Sequence, residues 1–393
     1  MTSPLQRSAV CLVTDRLSAG FLGAYGNTWI NTPSFDQLAF ESLLFDQAIL
    51  CKPTLSDFYE EVWAGESQQA LPQLLNDVGI DTLLITDEPG LLANGRADAF
   101  RRCVTVEAGS ERVAVEDIEQ TCLGRFFAMA SDCVAELTDP TLVWLHSRGM
   151  AAPWDAPYSM RDAYAEDEDP RPPTGIEVPR MSLNKDHDPD ELLGLTHAYA
   201  GQVSLWDVCL GALLEAFQSN PFSGSALFSV MSCQGFPLGL HDQVGQGGDC
   251  YGELLHIPWL VRVPGEPLSQ RSSLLVQPSD MFEMLNQWWE LSDAPAPGLC
   301  EPGIAALGGS VREFIVSEGA GGCWSIRTPA WFLRNKGGAN GQELYVKPDD
   351  RWESSDVAGR CNEVVELLCE VYDKVARGEH VDPLDEVLLE GIR

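Results

Sequence analysis

The chain has 393 residues, of which 25 are Lys or Arg and 59 are Asp or Glu, giving a net charge of −34 at pH 7. So acidic a chain repels phosphate backbones and anionic bilayers, which excludes general nucleic-acid binding and membrane-surface roles. Its 45% hydrophobic content and ordinary 21% charged fraction exclude a disordered acidic tail and supply a core for one large or two ordinary domains.

The first eight residues run straight into Ala9-Val-Cys-Leu-Val13, an apolar strand that ends in polar Thr14 and Asp15. That start has neither the long apolar stretch nor the cleavage site of a secretory signal. No later run is long enough to cross a bilayer, so the expected location is cytoplasmic. Ser34 to Leu43 reads as a helix with Ser34 as its N-cap. Ala70 to Val78 reads as a second helix, stopped by Gly79 before a strand over Thr82–Ile85. Further apolar strands are expected at Thr141–Leu145, Ser225–Met231 and Pro258–Val263, with a long helix from Leu192 to Phe217. Continuously apolar strands alternating with helices predict a mostly parallel sheet covered on both faces, a three-layer α/β/α arrangement.

Residues Met150 to Glu191 break this rhythm with a Pro-rich acidic segment, expected to be a solvated insertion loop. A helix is predicted from Ser279 to Leu291, and Asp293-Ala-Pro-Ala-Pro-Gly298 reads as a boundary. Four closely spaced strands follow (Glu313–Val316, Cys323–Arg327, Trp331–Arg334, Glu343–Val346), then a helix over Val364–Val375. They predict a small antiparallel α+β unit, so the chain divides into a core of residues 1–300 and a C-terminal unit of residues 301–393. The twelve cysteines form no Cys-x-x-Cys pair and read as reduced thiols rather than a disulfide framework.

Sites in an open α/β sheet lie beyond the carboxyl ends of its strands. Beyond the first such end come Arg16-Leu-Ser-Ala-Gly-Phe-Leu-Gly-Ala-Tyr-Gly-Asn27, then Asn31-Thr-Pro-Ser-Phe-Asp-Gln-Leu-Ala39 and Phe45-Asp-Gln-Ala48. This string resembles the N-terminal signature of the sulfatase family in the alkaline-phosphatase superfamily. Later segments resemble family elements in the same order, among them Tyr199–Phe217, Tyr251–Pro258, Ile326–Trp331 and Glu343–Asp350. The resemblance implies the fold just described and a sulfuric-ester hydrolase centre built on a divalent metal, calcium or magnesium.

Carried over position by position, that centre is largely replaced. Cys51 and Pro53 match the Cys-x-Pro-x-Arg nucleophile motif, but its Arg position holds Leu55. Asp15 matches the first metal-binding Asp, whereas the following position, a second Asp in many relatives, holds Arg16. The later Asp and His/Asn ligands fall on Cys233 and Gln234. The Lys and His after the second strand fall on Thr86 and Glu88, the middle-loop His on Ala151, and a further Lys on Gln246. His241 sits in a Gly-Leu-His-Asp run that resembles the family's Gly-x-His-Gly. Hydrolysis of a sulfate ester needs cations around the developing oxyanion, and losing one such group costs roughly a hundredfold or more in rate.

Two functions are therefore expected to compete. One is a non-hydrolytic protein that binds a small molecule or a protein partner and needs no metal. The other is a divergent sulfate- or phosphate-ester hydrolase with a rebuilt site around Asp15 and Cys51, which would need one.

Overall fold

A computed structural model describes residues 4–64, 69–93, 95–107, 113–245, 249–265, 269–291, 312–337 and 341–391. Among the described residues, ten strands belong to the larger part of the chain. They are β1 (Ser8–Thr14), β2 (Leu43–Ile49), β3 (Asp81–Thr86), β4 (Arg102–Thr105), β5 (Thr141–Ser147), β6 (Met181–Ser182), β7 (Ala226–Ser232), β8 (Gln243–Val244), β9 (His256–Arg262) and β10 (Gln270–Val276). Eight of them form one sheet in the order β10-β2-β9-β7-β1-β5-β3-β4, while β6 and β8 pair separately. Only β9 runs antiparallel to its neighbours in the large sheet.

Every residue of β1 is buried, and its side chains alternate between two cores. Val10 and Leu12 pack with the helices Pro33–Phe40, Cys122–Ala135 and Pro189–Ser219. Ala9, Cys11 and Val13 pack with Leu55–Ala64, Leu71–Asp77 and Ser279–Trp288 on the opposite face. A strand buried on both faces has no polar alternation, which is why β1, β5 and β7 read as unbroken apolar runs. The three-layer expectation holds.

The C-terminal strands β11 (Ile315–Glu318), β12 (Trp324–Arg327), β13 (Trp331–Asn335) and β14 (Gln342–Val346) form the expected antiparallel meander. The helix Asn362–Ala376 packs on it through Val364, Val365, Leu368 and Val371. Ser317 Oγ donates to the Leu50 carbonyl at 2.6 Å and the Glu318 amide donates to the Cys51 carbonyl at 2.8 Å, so β11 docks at the end of β2. The 300/301 division and the Asp293–Gly298 segment lie outside the described residues.

Three local expectations are corrected. The first helix is Pro33–Phe40, and the side chain that caps it is not Ser34 but Asp207 of the long helix. The Asp207 carboxylate accepts from the Ser34 and Phe35 amides at 3.0 and 2.8 Å, a tertiary cap in place of a local one. Leu43 leaves that helix to open β2. Within the Pro-rich segment, Glu166, Asp167 and Glu168 are solvated as expected. The segment is also anchored, because buried Arg161 donates to the carbonyls of Ala156, Pro173 and Gly175.

Candidate active site

Strand β1 pairs in parallel with β5 on one side and β7 on the other, with Thr14 in register with both Ser147 and Ser232. The residues following these three therefore emerge side by side at one edge of the sheet. Ser232 Oγ fixes the junction by donating to the Thr14 carbonyl at 2.8 Å. Gly149 has φ near +49°, and a Cβ there would stand 2.3 Å from Thr14 Cγ2, so the β5 loop can come this close only with glycine.

Asp15 is 6% exposed at this edge. Gln234 Nε2 donates to its Oδ1 at 2.7 Å, and the Cys233 thiol donates to the same oxygen at 3.3 Å. Burial pushes the Asp15 carboxyl up, while Arg16 and the two donors pull it back. Burial, then the neighbouring Asp15 charge, holds the Cys233 thiol well above its ordinary range, so it stays a protonated donor. Arg16 adopts φ of 62°, a left-handed conformation unusual for a bulky residue. Its Nη1 donates to the Gly245 carbonyl at 2.8 Å, and Tyr199 donates to its carbonyl oxygen at 2.9 Å.

Among the described residues, the other carried-over positions supply no cation to this cluster. Thr86 ends β3, and its hydroxyl accepts from the Glu88 amide at 3.0 Å. Glu88 is engaged by the Gly90 amide at 2.7 Å and by Arg148 Nε at 3.3 Å. Asp87 between them accepts from the Arg148 amide at 2.7 Å, and burial pushes its carboxyl up to about 7. Ala151 closes a short 3-10 turn and contributes no polar side chain. His241 stacks on Tyr251 at 3.5 Å between ring centroids, with Glu353 3.8 Å from its Nε2; burial pushes its pKa down. Gln246 lies outside the described residues.

Cys51 follows β2, three strands along the sheet from β1. Its thiol accepts from Gln277 Nε2, and burial pushes its pKa far above the ordinary thiol range. Arg312, the cation that acts on it, is held by both oxygens of Asp280 at 2.7 and 2.8 Å. A thiol kept protonated is a poor nucleophile. Leu55 opens the helix Leu55–Ala64 and packs against the core, so the arginine that the family motif would place there has no counterpart at that position.

Sequence reasoning missed Tyr59, a buried residue close enough to this edge for Cys233 and Asp15 to act on it. Its phenol lies 2.7 Å from His146 Nδ1 and accepts from Trp144 Nε1 at 3.2 Å. Burial drives His146 down to about 3, so it is neutral, and its Nε2 has no hydrogen-bond partner among the described residues. Burial and then Cys233 push the Tyr59 phenol up, with Asp15 adding to the effect. The i, i+4 aromatic spacing of Tyr59 and Trp63, whose rings stand 4.2 Å apart, was the available signal.

A calcium or magnesium ion takes six or more hard oxygens. Here one carboxylate oxygen already accepts two protein donors, the neighbouring thiol is protonated, and a guanidinium adjoins. This donor set does not fit such an ion. Among the described residues, no three His, Cys, Asp or Glu side chains stand together as a metal site. No described helix is long and apolar enough to cross a membrane.

No curated protein matches this chain in sequence. Among solved structures, one in complex with its substrate D-glucosamine-2-N,6-O-disulfate superposes with TM-score 0.73 at 14% identity, covering 95% of this chain and 98% of its own. A 2-O GAG sulfatase gives TM-score 0.72 at 15% identity, over 95% of this chain and 92% of its own. The phosphonate monoester hydrolase of Agrobacterium radiobacter gives 0.71 at 15% identity, over 96% of each chain. At such identities the likeness speaks for the fold alone. The sulfatase family model matches residues 7–290, well over half of the sequence. The chain belongs to the sulfatase family.

Proposed function

We propose that this chain is a non-hydrolytic member of the family, a pseudosulfatase that binds a small molecule or a protein partner. The observation that carries the reading is the state of Asp15. In a hydrolase its carboxylate would face a cation, whereas here it is satisfied by Gln234 and Cys233 beside Arg16. The protonated, Gln277-bound Cys51 and the burial of Tyr59 between Trp144 and His146 support the same reading.

In this reading residues 1–300 form the core and 301–393 a smaller unit docked on it. Eleven described cysteines are free, which supports a reducing, cytoplasmic setting. The net charge supports a role without nucleic acid or membrane. Sulfated sugars and phosphonate esters, suggested by the names of the structural neighbours, are the substrates to exclude first.

The test is turnover of 4-nitrophenyl sulfate and 4-nitrophenyl phosphate with added calcium or magnesium, alongside the intact mass of the purified chain. No turnover above buffer and an unmodified Cys51 thiol are expected. Metal-dependent turnover abolished by Asp15→Ala, or conversion of Cys51 to an aldehyde, would overturn the reading.

A further inference from the structure

A cavity of ≈ 500 Å³ opens where the loop after β1 meets the C-terminal sheet. Asp15, Arg16, Cys51, Cys233 and Gln234 are not among its walls, so it is separate from the edge described above. Its size suits a ligand of one or two rings.

The charges lining it fall into two kinds. Arg271 is paired with Asp46. Lys347 spends its ammonium on the carbonyls of Asp350 and Arg351 and on Glu353 Oε1, at 2.8, 3.3 and 2.9 Å. It thereby shapes the loop that carries Arg351 and Trp352. These pairs are internally neutral.

Arg327 and Arg351 differ. Arg327 is 8% exposed, and its Nη2 and Nε both donate to Gln47 Oε1 at 2.8 and 3.3 Å. Gln47 is neutral, and its Nε2 is tied to the Ser273 carbonyl at 3.1 Å, which keeps the oxygen turned toward Arg327. Among the described residues no carboxylate pairs with Arg327. Burial drives it down to about 10, with the more distant Glu353 pulling the other way. The Arg351 guanidinium lies 4.9 Å from the Trp352 ring centroid and has no hydrogen bond or ion pair among the described residues. A buried guanidinium without an acid partner is costly. In a chain with 59 acidic residues, two of them facing one cavity form a local exception to the overall charge.

Much of the remaining wall is apolar and aromatic, with Phe21, Leu238, Leu255 and Phe332 inside and Trp352, 46% exposed, among them. Ser18, Thr196, Ser273 and His256 add polar groups. Glu253 is the one lining acid with no cation bound to it among the described residues; it accepts from the Leu238 amide at 3.1 Å.

We propose that this cavity binds a small organic anion, with one oxyanion group received by Arg327 and Arg351 and one flat apolar ring system against Phe21, Phe332 and Trp352. Guanidinium offers a planar fork of donors to an oxyanion, and aromatic walls hold a flat body. The occupant completes the charge balance that the protein leaves open.

The test is titration calorimetry with naphthalene-2-sulfonate as probe and 2-naphthol as its uncharged counterpart, on the full-length chain. The sulfonate is expected to bind at one saturable site, and 2-naphthol about tenfold or more weaker, as expected for loss of a charge-assisted contact. Arg351→Gln, at a half-buried position without structural bonds from its side chain, should weaken the sulfonate by a similar factor with an unchanged melting temperature. Arg327→Met should do the same, and its melting curve shows whether it folds. Absence of saturable binding, equal affinity for 2-naphthol, or full affinity in Arg351→Gln would each overturn the proposal.

Discussion

The edge at Asp15 and the cavity at Arg327 are both polar regions beside a large apolar core, and they balance their charges in opposite ways. At the edge, Asp15 is bonded by Cys233 and Gln234, Glu88 by Gly90 and Arg148, and Tyr59 is buried with Trp144 and His146. In the cavity, two guanidiniums are left without an acid among the described residues. A polar group satisfied inside the protein gains nothing from a ligand, whereas an unpaired buried charge gains much. The difference locates binding away from the position at which the family fold would be searched first.

The sharpest way to break this comparison is Tyr59→Ala. If Tyr59 is core, its removal leaves a cavity among Trp144, Trp63 and His146 and costs about 3–5 kcal/mol, read from the urea unfolding midpoint. A negligible loss would mean that the ring stands in an open cleft.

Next in size is the pH dependence. Glu61, Asp87 and Glu253 are each pushed up to about 7, in every case chiefly by burial. Each binds a proton more tightly folded than unfolded. Their contribution is therefore complete below the ordinary carboxylate range and is lost as pH rises toward 7. These three therefore make stability fall between about pH 4 and pH 7, by a few kcal/mol in all after allowance for solvent screening, against an opposing rise from His146 and His256, which burial pushes down to about 3. Glu253→Gln should flatten part of that slope, as seen in melting temperature against pH. A profile left unchanged by Glu253→Gln would show that this carboxyl is solvated.

A smaller effect is expected from Asp15→Asn. The amide oxygen can still accept from Gln234, and burial already disfavours the charge, so the change should stay within about 1 kcal/mol. A loss several times larger would point to a cation that needs the carboxylate. Smallest is Arg351→Gln, expected to alter stability by less than about 0.5 kcal/mol while weakening anion binding about tenfold.

Much of the fold was legible because its signals are local. The apolar runs of β1, β5 and β7, the Gly79 stop and the four-strand meander could be read from neighbouring residues. β2 was less legible because Asp46 and Gln47 interrupt its apolar pattern at a register shift against β9. The helix Leu55–Ala64 was hidden behind a motif reading of Cys51–Leu55. The true cap of the first helix comes from Asp207, far along the chain, which no local pattern reveals.

Of the candidate site, the sequence identified Asp15, Cys233 and Gln234 one by one, but not that they bond to one another across more than 200 positions. It was silent on Tyr59 and on the cavity, whose Arg327–Gln47 contact joins residues 280 apart. Contacts of that kind follow from topology: parallel pairing of β1 with β7 makes the first two, and docking of the C-terminal sheet at β2 makes the last.

The most direct test of the central claim is titration of chelator-treated protein with calcium and with magnesium, followed by calorimetry. The account predicts no saturable binding of either ion, because the Asp15 carboxylate is occupied by protein donors. One ion bound per chain, with the binding lost in Asp15→Ala, would contradict it.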